Sequence, residues 1–498
     1  MTDETRDLSI GQALDLGCEF AMNGNPQSAE GLFRGVLMHE PNNFEAMQRL
    51  GGALFDQKKI HEALYWFWRG RKLNRRSDQA RSNYGMVLGE LGHLNESIAE
   101  LRVAVHLEPN NPVTFNNLGN TLERAKKYPE ALEALDRSIA LQPNDAFPHY
   151  NRGIVLLRLN RHQEAIVSLD RSLELDPISA DARYNRGMAH LVLGRLREGF
   201  VDYEYRLLTS ENKVPNLGLP AARKWNGAEP LEGKTILVHA EQGIGDTIQF
   251  MRFLPLLRER GPTEILLVAH KAIRPIARDI ANVTVLEPGE EMDSKYHYWA
   301  ALMSLPMCLD VDDDIPPPMH IPLDLGRDES VRAQLQLRPG LNVGVVWAGN
   351  FLHKNDSHRS IPLKQFARLF DTAGCTFHSL QQIRPGEIDE FAKIKAKRAN
   401  VCAYWFDDLR DTAAAILNLD VVVTVDTAVA HLAASLGVPT WILIPAFSTD
   451  WRWQLKRTDS PWYPSATLFR QPRIGDWDSV IDDIRTKLAV MSAEKIAA

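Results

Sequence analysis

PVTFNNLGNTLERAKKYPEALEALDRSIALQPND, residues 112–145, is one period of a pattern that returns every 34 residues. Its glycine, Gly119, has counterparts at Gly17, Gly51, Gly85, Gly153 and Gly187. Glycine is 31 of 498 residues, so six hits in one register have a chance probability on the order of 10⁻⁷. The period divides the chain into units at 10–43, 44–77, 78–111, 112–145, 146–179 and 180–213, the last one degenerate. Twelve residues after each glycine stands a small residue, Ala29, Ala63, Ser97, Ala131, Ala165 or Gly199, near which a second helix should begin and pack closely on the first. Pro41, Pro109, Pro143 and Pro177 recur between units, where proline ends a helix because it lacks a donor and clashes with the preceding turn. Arg75 fills the missing slot, so the second turn is expected to be less sharply specified.

Period and fixed points resemble the tetratricopeptide repeat, a helix pair that buries its apolar face only against its neighbours. Asn83, Asn117, Asn151 and Asn185 form a second series two residues before the glycines. Asparagine competes for nearby backbone groups and is a mediocre helix former, so four in register ask for a reason. Either these amides bond the neighbouring repeat, or they line the concave face and clasp the backbone of an extended peptide. The ladder resembles that of O-GlcNAc transferase, and the resemblance implies an acceptor protein bound along the repeats.

The composition, 44% hydrophobic and 24% charged with a net charge of −7, is that of a soluble globular chain with room for about three domains. Without a long basic run it argues against nucleic acid as partner. Cys18, Cys308, Cys375 and Cys402 show neither disulfide nor zinc spacing, and Met1–Ile10 is acidic and polar. A cytoplasmic location without a membrane span is the expectation. After about residue 205 the period dissolves into a turn-rich connector, 210–220.

From Lys234 short apolar runs alternate with helical segments, as in an α/β fold with parallel sheets. Thr235–His239, Glu264–Ala269, Asn342–Trp347, Thr376–Leu380, Val421–Val425 and Thr440–Ile444 read as strands, and Thr247–Arg260 as a helix. The turn Glu241-Gln-Gly-Ile-Gly-Asp246 offers Gln242, Gly243 and Gly245 for close backbone approach and Asp246 as a carboxylate at a cleft. Ile248 stands where a dinucleotide fingerprint needs its third glycine, which disfavours a nicotinamide cofactor. Asp426, Thr427 and His431 open a helix whose amides and dipole suit a phosphate, although a capping residue and a core histidine are the plainer reading of that segment. The loop 348–360, with Asn350, Lys354, His358 and Arg359, follows a strand of the same lobe, so its cations should reach the same sheet edge. Gln381, just past the next strand, is added to this set. Asp312-Asp313-Asp314 contains a D-x-D but sits among prolines and reads as an acidic loop.

The strings 239–250 (HAEQGIGDTIQF), 346–350 (VWAGN) and 425–433 (VDTAVAHLA) resemble bacterial tetratricopeptide-repeat proteins whose C-terminal half is related to the heptosyltransferases, of GT-B fold. The resemblance implies a repeat superhelix at 1–213, an acceptor-side lobe with its linker at 214–335, and a sugar-nucleotide lobe with a closing helix at 336–498. It assigns Asp246 as catalytic base. Asp426, Thr427, His431 and Arg359 would contact the donor diphosphate. Ala428 departs from the family's glycine. The implied activity is inverting, metal-independent glycosyl transfer from a sugar nucleotide, with no cofactor, to Ser/Thr hydroxyls of a protein, flagellin among the candidates. Transfer to lipopolysaccharide or another glycan, and an inactive interaction scaffold, are the alternatives.

Overall fold

The computed structural model describes residues 8–209, 218–278, 280, 282–287, 295–312, 314–321, 325–353, 355–447 and 449–497, with backbone alone at 325 and 326. The chain divides into two compact units, Met1–Ala182 and Arg183–Ala498.

The first unit is a run of helix pairs: α1 (Ile10–Met22) with α2 (Pro26–His39), α3 (Phe44–Asp56) with α4 (Ile60–Leu73), α5 (Asp78–Glu90) with α6 (Leu94–Leu107), α7 (Pro112–Arg124) with α8 (Tyr128–Leu141), and α9 (Ala146–Arg158) with α10 (His162–Leu175). Each first helix starts on the first residue of its 34-residue period. Side chains of Ser9, Asn43, Ser77, Asn111 and Asp145 accept from their opening amides, as good N-caps do. The periodic glycines are needed for contact rather than for backbone freedom. A Cβ on Gly17, Gly51, Gly85, Gly119 or Gly153 would lie 2.5–2.8 Å from the side chain sixteen residues on, namely Phe33, Phe67, Leu101, Leu135 or Leu169. Those five side chains are essentially buried. The small residues at 29, 63, 97, 131 and 165 are fully buried one turn inside the second helix, which begins three residues earlier than expected.

The second helices that precede a proline end two residues before it, and α4 ends two residues before Arg75 in the same way. The turn expected to be loose is therefore placed like the others, because packing on the neighbouring pair sets the helix length. A further period is only partly marked in the sequence. Residues 24, 58, 92, 126, 160 and 194 all have positive φ, yet they are Gly, Lys, Gly, Lys, Asn and Gly.

The second unit contains the sixth pair, α11 (Ala180–Val192, straddling the unit boundary) and α12 (Leu196–Tyr203), the latter eight residues where its counterparts have fourteen. Two all-parallel sheets follow. β1 (Thr235–His239), β2 (Glu264–Val268), β3 (Val283–Leu286) and β4 (Tyr298–Ala301) lie in the order β3-β2-β1-β4. β5 (Leu341–Val346), β6 (Cys375–Ser379), β7 (Val401–Ala403), β8 (Val421–Val425), β9 (Thr440–Ile444) and β10 (Ala466–Arg470) lie in the order β10-β9-β8-β5-β6-β7. Strand order reverses between β5 and β8, so the loops leaving those two neighbours diverge and open a crevice at their carboxyl ends. The expected helix 247–260 is instead α13 (Ile244–Phe250), a 3-10 turn and the short helix Leu254–Glu259. Gly243 takes the cap position and its amide is satisfied by Asp246, which moves the helix start forward, while Pro255 falls in the first turn of the short helix. Most of the expected connector, 210–217, lies outside the described residues, as does Asp313.

Candidate functional site

The site forms where the two sheets of the second unit meet. Gly245 on α13 lies against the helix Ala428–Ser435, and a Cβ there would stand 2.6 Å from His431 Cδ2 and 3.4 Å from Ala428 Cα. The glycine thus serves an approach of helix on helix. Its neighbour Asp246 is held by two donors. The Gly243 amide donates to Oδ2 at 2.9 Å, and Arg452 Nη2 donates to Oδ1 at 2.5 Å. Burial lifts the Asp246 carboxyl above its ordinary range; Arg452 opposes the rise, and Asp450 and Glu241 add to it.

Across from Asp246, Thr427 occupies the cap position of helix 428–435, but its hydroxyl faces that of Thr424 at 3.2 Å and no side chain caps the opening amides. The plainer capping expectation is therefore not met. Asp426 is half-buried. Burial first, then Asp450, pushes its carboxyl up to about 6. Arg359 Nη1 donates to the Asp426 carbonyl at 3.1 Å and its guanidinium lies over Gly349, which ties the 348–360 loop to the helix start. These segments are more than sixty residues apart in sequence and their topology brings them to the same crevice.

Other expected residues have structural partners. Gln381 Oε1 accepts from the amides of Trp347 and Ala348 and fixes the root of the loop. Asn350 Oδ1 accepts from the Leu352 amide within its own turn. Gln242 donates to the Tyr203 hydroxyl at 2.9 Å. His431 is buried in the wall, with Nδ1 2.9 Å from the Tyr463 hydroxyl and its ring stacked on Trp453, and burial drives its pKa down to about 3. It is a neutral wall residue. Lys354 lies outside the described residues.

Sequence reading missed Arg452, Asp450 and Arg384. Arg452 is buried and also forks onto Asp450 at 2.9 and 3.0 Å. Arg384 Nη2 donates to Gly349 O and to Asp356, holding the same loop from the other side. The run Trp451-Arg452-Trp453 after β9 carries no spacing that ties it to Asp246. Among the described residues no group of three or more His, Cys, Asp or Glu could hold a metal ion, and Asp312 lies 3.9 Å from Arg197. No described helix is long and apolar enough to cross a membrane.

In the repeats the ladder amides point along the array. Asn83 Nδ2 donates to Gln48, Asn117 to Ser82 and Asn151 to Asn116, each 35 residues earlier. The bonding between neighbouring repeats that sequence allowed is thus present at the first three rungs, which remain half-buried. Asn185 is half-buried on α11.

Residues 118–189, and separately 14–73 and 83–146, match tetratricopeptide-repeat families. The N-terminal half is a tetratricopeptide-repeat solenoid, and a region of parallel sheets follows it. The chain is similar to Protein FlbA of Caulobacter vibrioides, 26% identical over 318 residues, which cover 58% of this chain and 52% of that protein. It thus spans about half the length of the curated relative it matches. Solved structures similar to it include the APC/C hetero-tetramer Cut9–Hcn1, 16% identical with a TM-score of 0.40 over 42% of each chain. A thermophilic tetratricopeptide-repeat protein of Thermus thermophilus is 20% identical, with a TM-score of 0.34 over 37% of this chain and 100% of that one.

Proposed function

We propose that this chain is an inverting glycosyltransferase of GT-B architecture that transfers a sugar from a sugar nucleotide to Ser/Thr hydroxyls of a protein held by the repeats. The observation that supports it best is the meeting of Asp246 with the uncapped start of helix 428–435 and Arg359 at a strand-order reversal. In this reading Asp246 takes the proton of the acceptor hydroxyl as its oxygen attacks the anomeric carbon. Its raised proton affinity makes it a stronger base than an ordinary carboxylate. The departing diphosphate gathers negative charge, which the free amides after Thr427 and the Arg359 guanidinium stabilise. The repeats select the acceptor, as tetratricopeptide arrays generally bind protein partners.

The test is turnover of UDP-, GDP-, ADP- and CMP-sugars by the full chain and by Asp246→Asn. The substitution keeps shape and removes the base, and a fall in kcat of about 10²- to 10⁴-fold is expected. Unchanged turnover in the variant would remove Asp246 from the role. If no sugar nucleotide raises the melting temperature of the chain, the scaffold reading replaces this one.

A further inference from the structure

Arg452 reaches the base from the other sheet. It follows β9, whereas Asp246 and Gln249 sit one turn apart on α13, and Arg452 contacts both: Nη2 donates to Asp246 Oδ1 and Nε donates to Gln249 Oε1. Its remaining nitrogen is forked onto Asp450, and the guanidinium lies 4.4 Å from the centre of the Trp451 ring. With 3% of its surface exposed, the cation has every direction fixed. We infer that Arg452 is the positioning residue for Asp246, holding its carboxylate ionised and in one rotamer; the inference rests on the reading of Asp246 as the base.

The groups facing Asp246 explain why such a residue is needed. Glu241 approaches from the end of β1, Tyr203 from α12, His353 from the loop after β5, and Asp450 with Arg452 from the segment after β9. Burial and the carboxylates of Asp450 and Glu241 favour the protonated acid, which cannot accept a proton from an alcohol. Arg452 is the opposing charge in contact. An opposite charge at hydrogen-bond distance lowers a carboxyl pKa by about one to three units. Because the cation follows a strand of one sheet and the base a strand of the other, the carboxylate is aligned by a contact between the two segments.

The experiment is the titration of the Asp246 side chain by ¹³C-carboxyl NMR, assigned by the resonance missing from Asp246→Asn, in the wild-type chain, Arg452→Gln, Arg452→Lys and Asp450→Asn. Arg452→Gln should move the Asp246 midpoint up by about one to two units. Arg452→Lys keeps the charge but not the fork, so its midpoint should stay within about half a unit of wild type. Asp450→Asn, which keeps the shape of the cluster, should move the midpoint down and reports even if Arg452→Gln does not fold. Midpoints that stay put in Arg452→Gln, or that do not fall in Asp450→Asn, overturn the inference. The readout needs no turnover, so its failure is distinct from loss of the base reading, which is decided by the activity of Asp246→Asn.

Discussion

Asp426 shows how a single side chain sets a pH dependence. Its carboxyl is pushed up to about 6 by burial and by Asp450, against an ordinary value near 3.8. Between these values the native state holds a proton that the unfolded chain has released, so the group costs stability as pH rises, with the full cost present above about 6. Asp426→Asn is neutral at every pH. Its unfolding free energy should match wild type near pH 4 and exceed it by about 1–3 kcal/mol at pH 7.5, measured by urea denaturation at both values. A constant difference would show that Asp426 is not strained by its surroundings. His431 works in the opposite sense, since its neutral form is favoured and stability is lost on acidification from 6.5 toward 3, but it is common to both proteins and cancels. The candidate residues Asp246, Arg359 and Asp426 could be picked out in sequence because each lies in the segment that follows a strand. Arg452 escaped because it acts on a residue 206 positions away, and no local spacing records such a contact.

At the scale of the helix pair, two adjacent glycines separate contact from propensity. A Cβ on Gly51 would meet Phe67 Cε1 at 2.6 Å, whereas a Cβ on Gly52 meets nothing within 4 Å. Glycine in a helix interior costs about 1 kcal/mol relative to alanine. Gly52→Ala should therefore stabilise the chain by up to about 1 kcal/mol, and Gly51→Ala should destabilise it by about 1–3 kcal/mol through overpacking. Thermal unfolding of the two variants checks the pair, and equal signs would contradict the geometry. The 34-residue glycine register was readable for this reason: a steric need at each helix crossing accepts one residue type. The positive-φ register at 24, 58, 92, 126, 160 and 194 was only partly marked: Gly24, Gly92, Gly194 and Asn160 are types that favour the conformation, but Lys58 and Lys126 adopt it at a cost and break the pattern.

For the whole molecule, the sequence period and the physical boundary disagree, and the disagreement has a cause. The sixth repeat continues the register to Gly187 and Gly199, yet its second helix packs into the α/β unit. Phe200 stands edge-on to Phe250 at 6.2 Å and to Trp451 at 5.9 Å. Arg206 is buried and donates to the fully buried Glu241 at 2.6 Å and to Ser304 at 2.9 Å. A repeat that must also fit a sheet loses its consensus, which is why this one looks degenerate. Removing residues 1–205, the cut that the period suggests, would take away Phe200 and Tyr203 and leave Arg206 at a fraying terminus. Loss of a buried Phe costs about 3–5 kcal/mol, and a buried carboxylate stripped of its partner costs a similar amount. A chain beginning at Arg183 keeps both contacts. It should unfold in one transition, whereas a chain beginning at Arg206 should melt lower by at least about 10 °C or fail to fold. Equal melting temperatures would mean that the sixth pair is not part of the α/β core. The same 183–498 chain separates the acceptors. On the transferase reading proposed above, a protein acceptor predicts that this chain still turns over the sugar nucleotide but transfers to the protein poorly, and a glycan acceptor predicts that turnover and transfer to the glycan both survive.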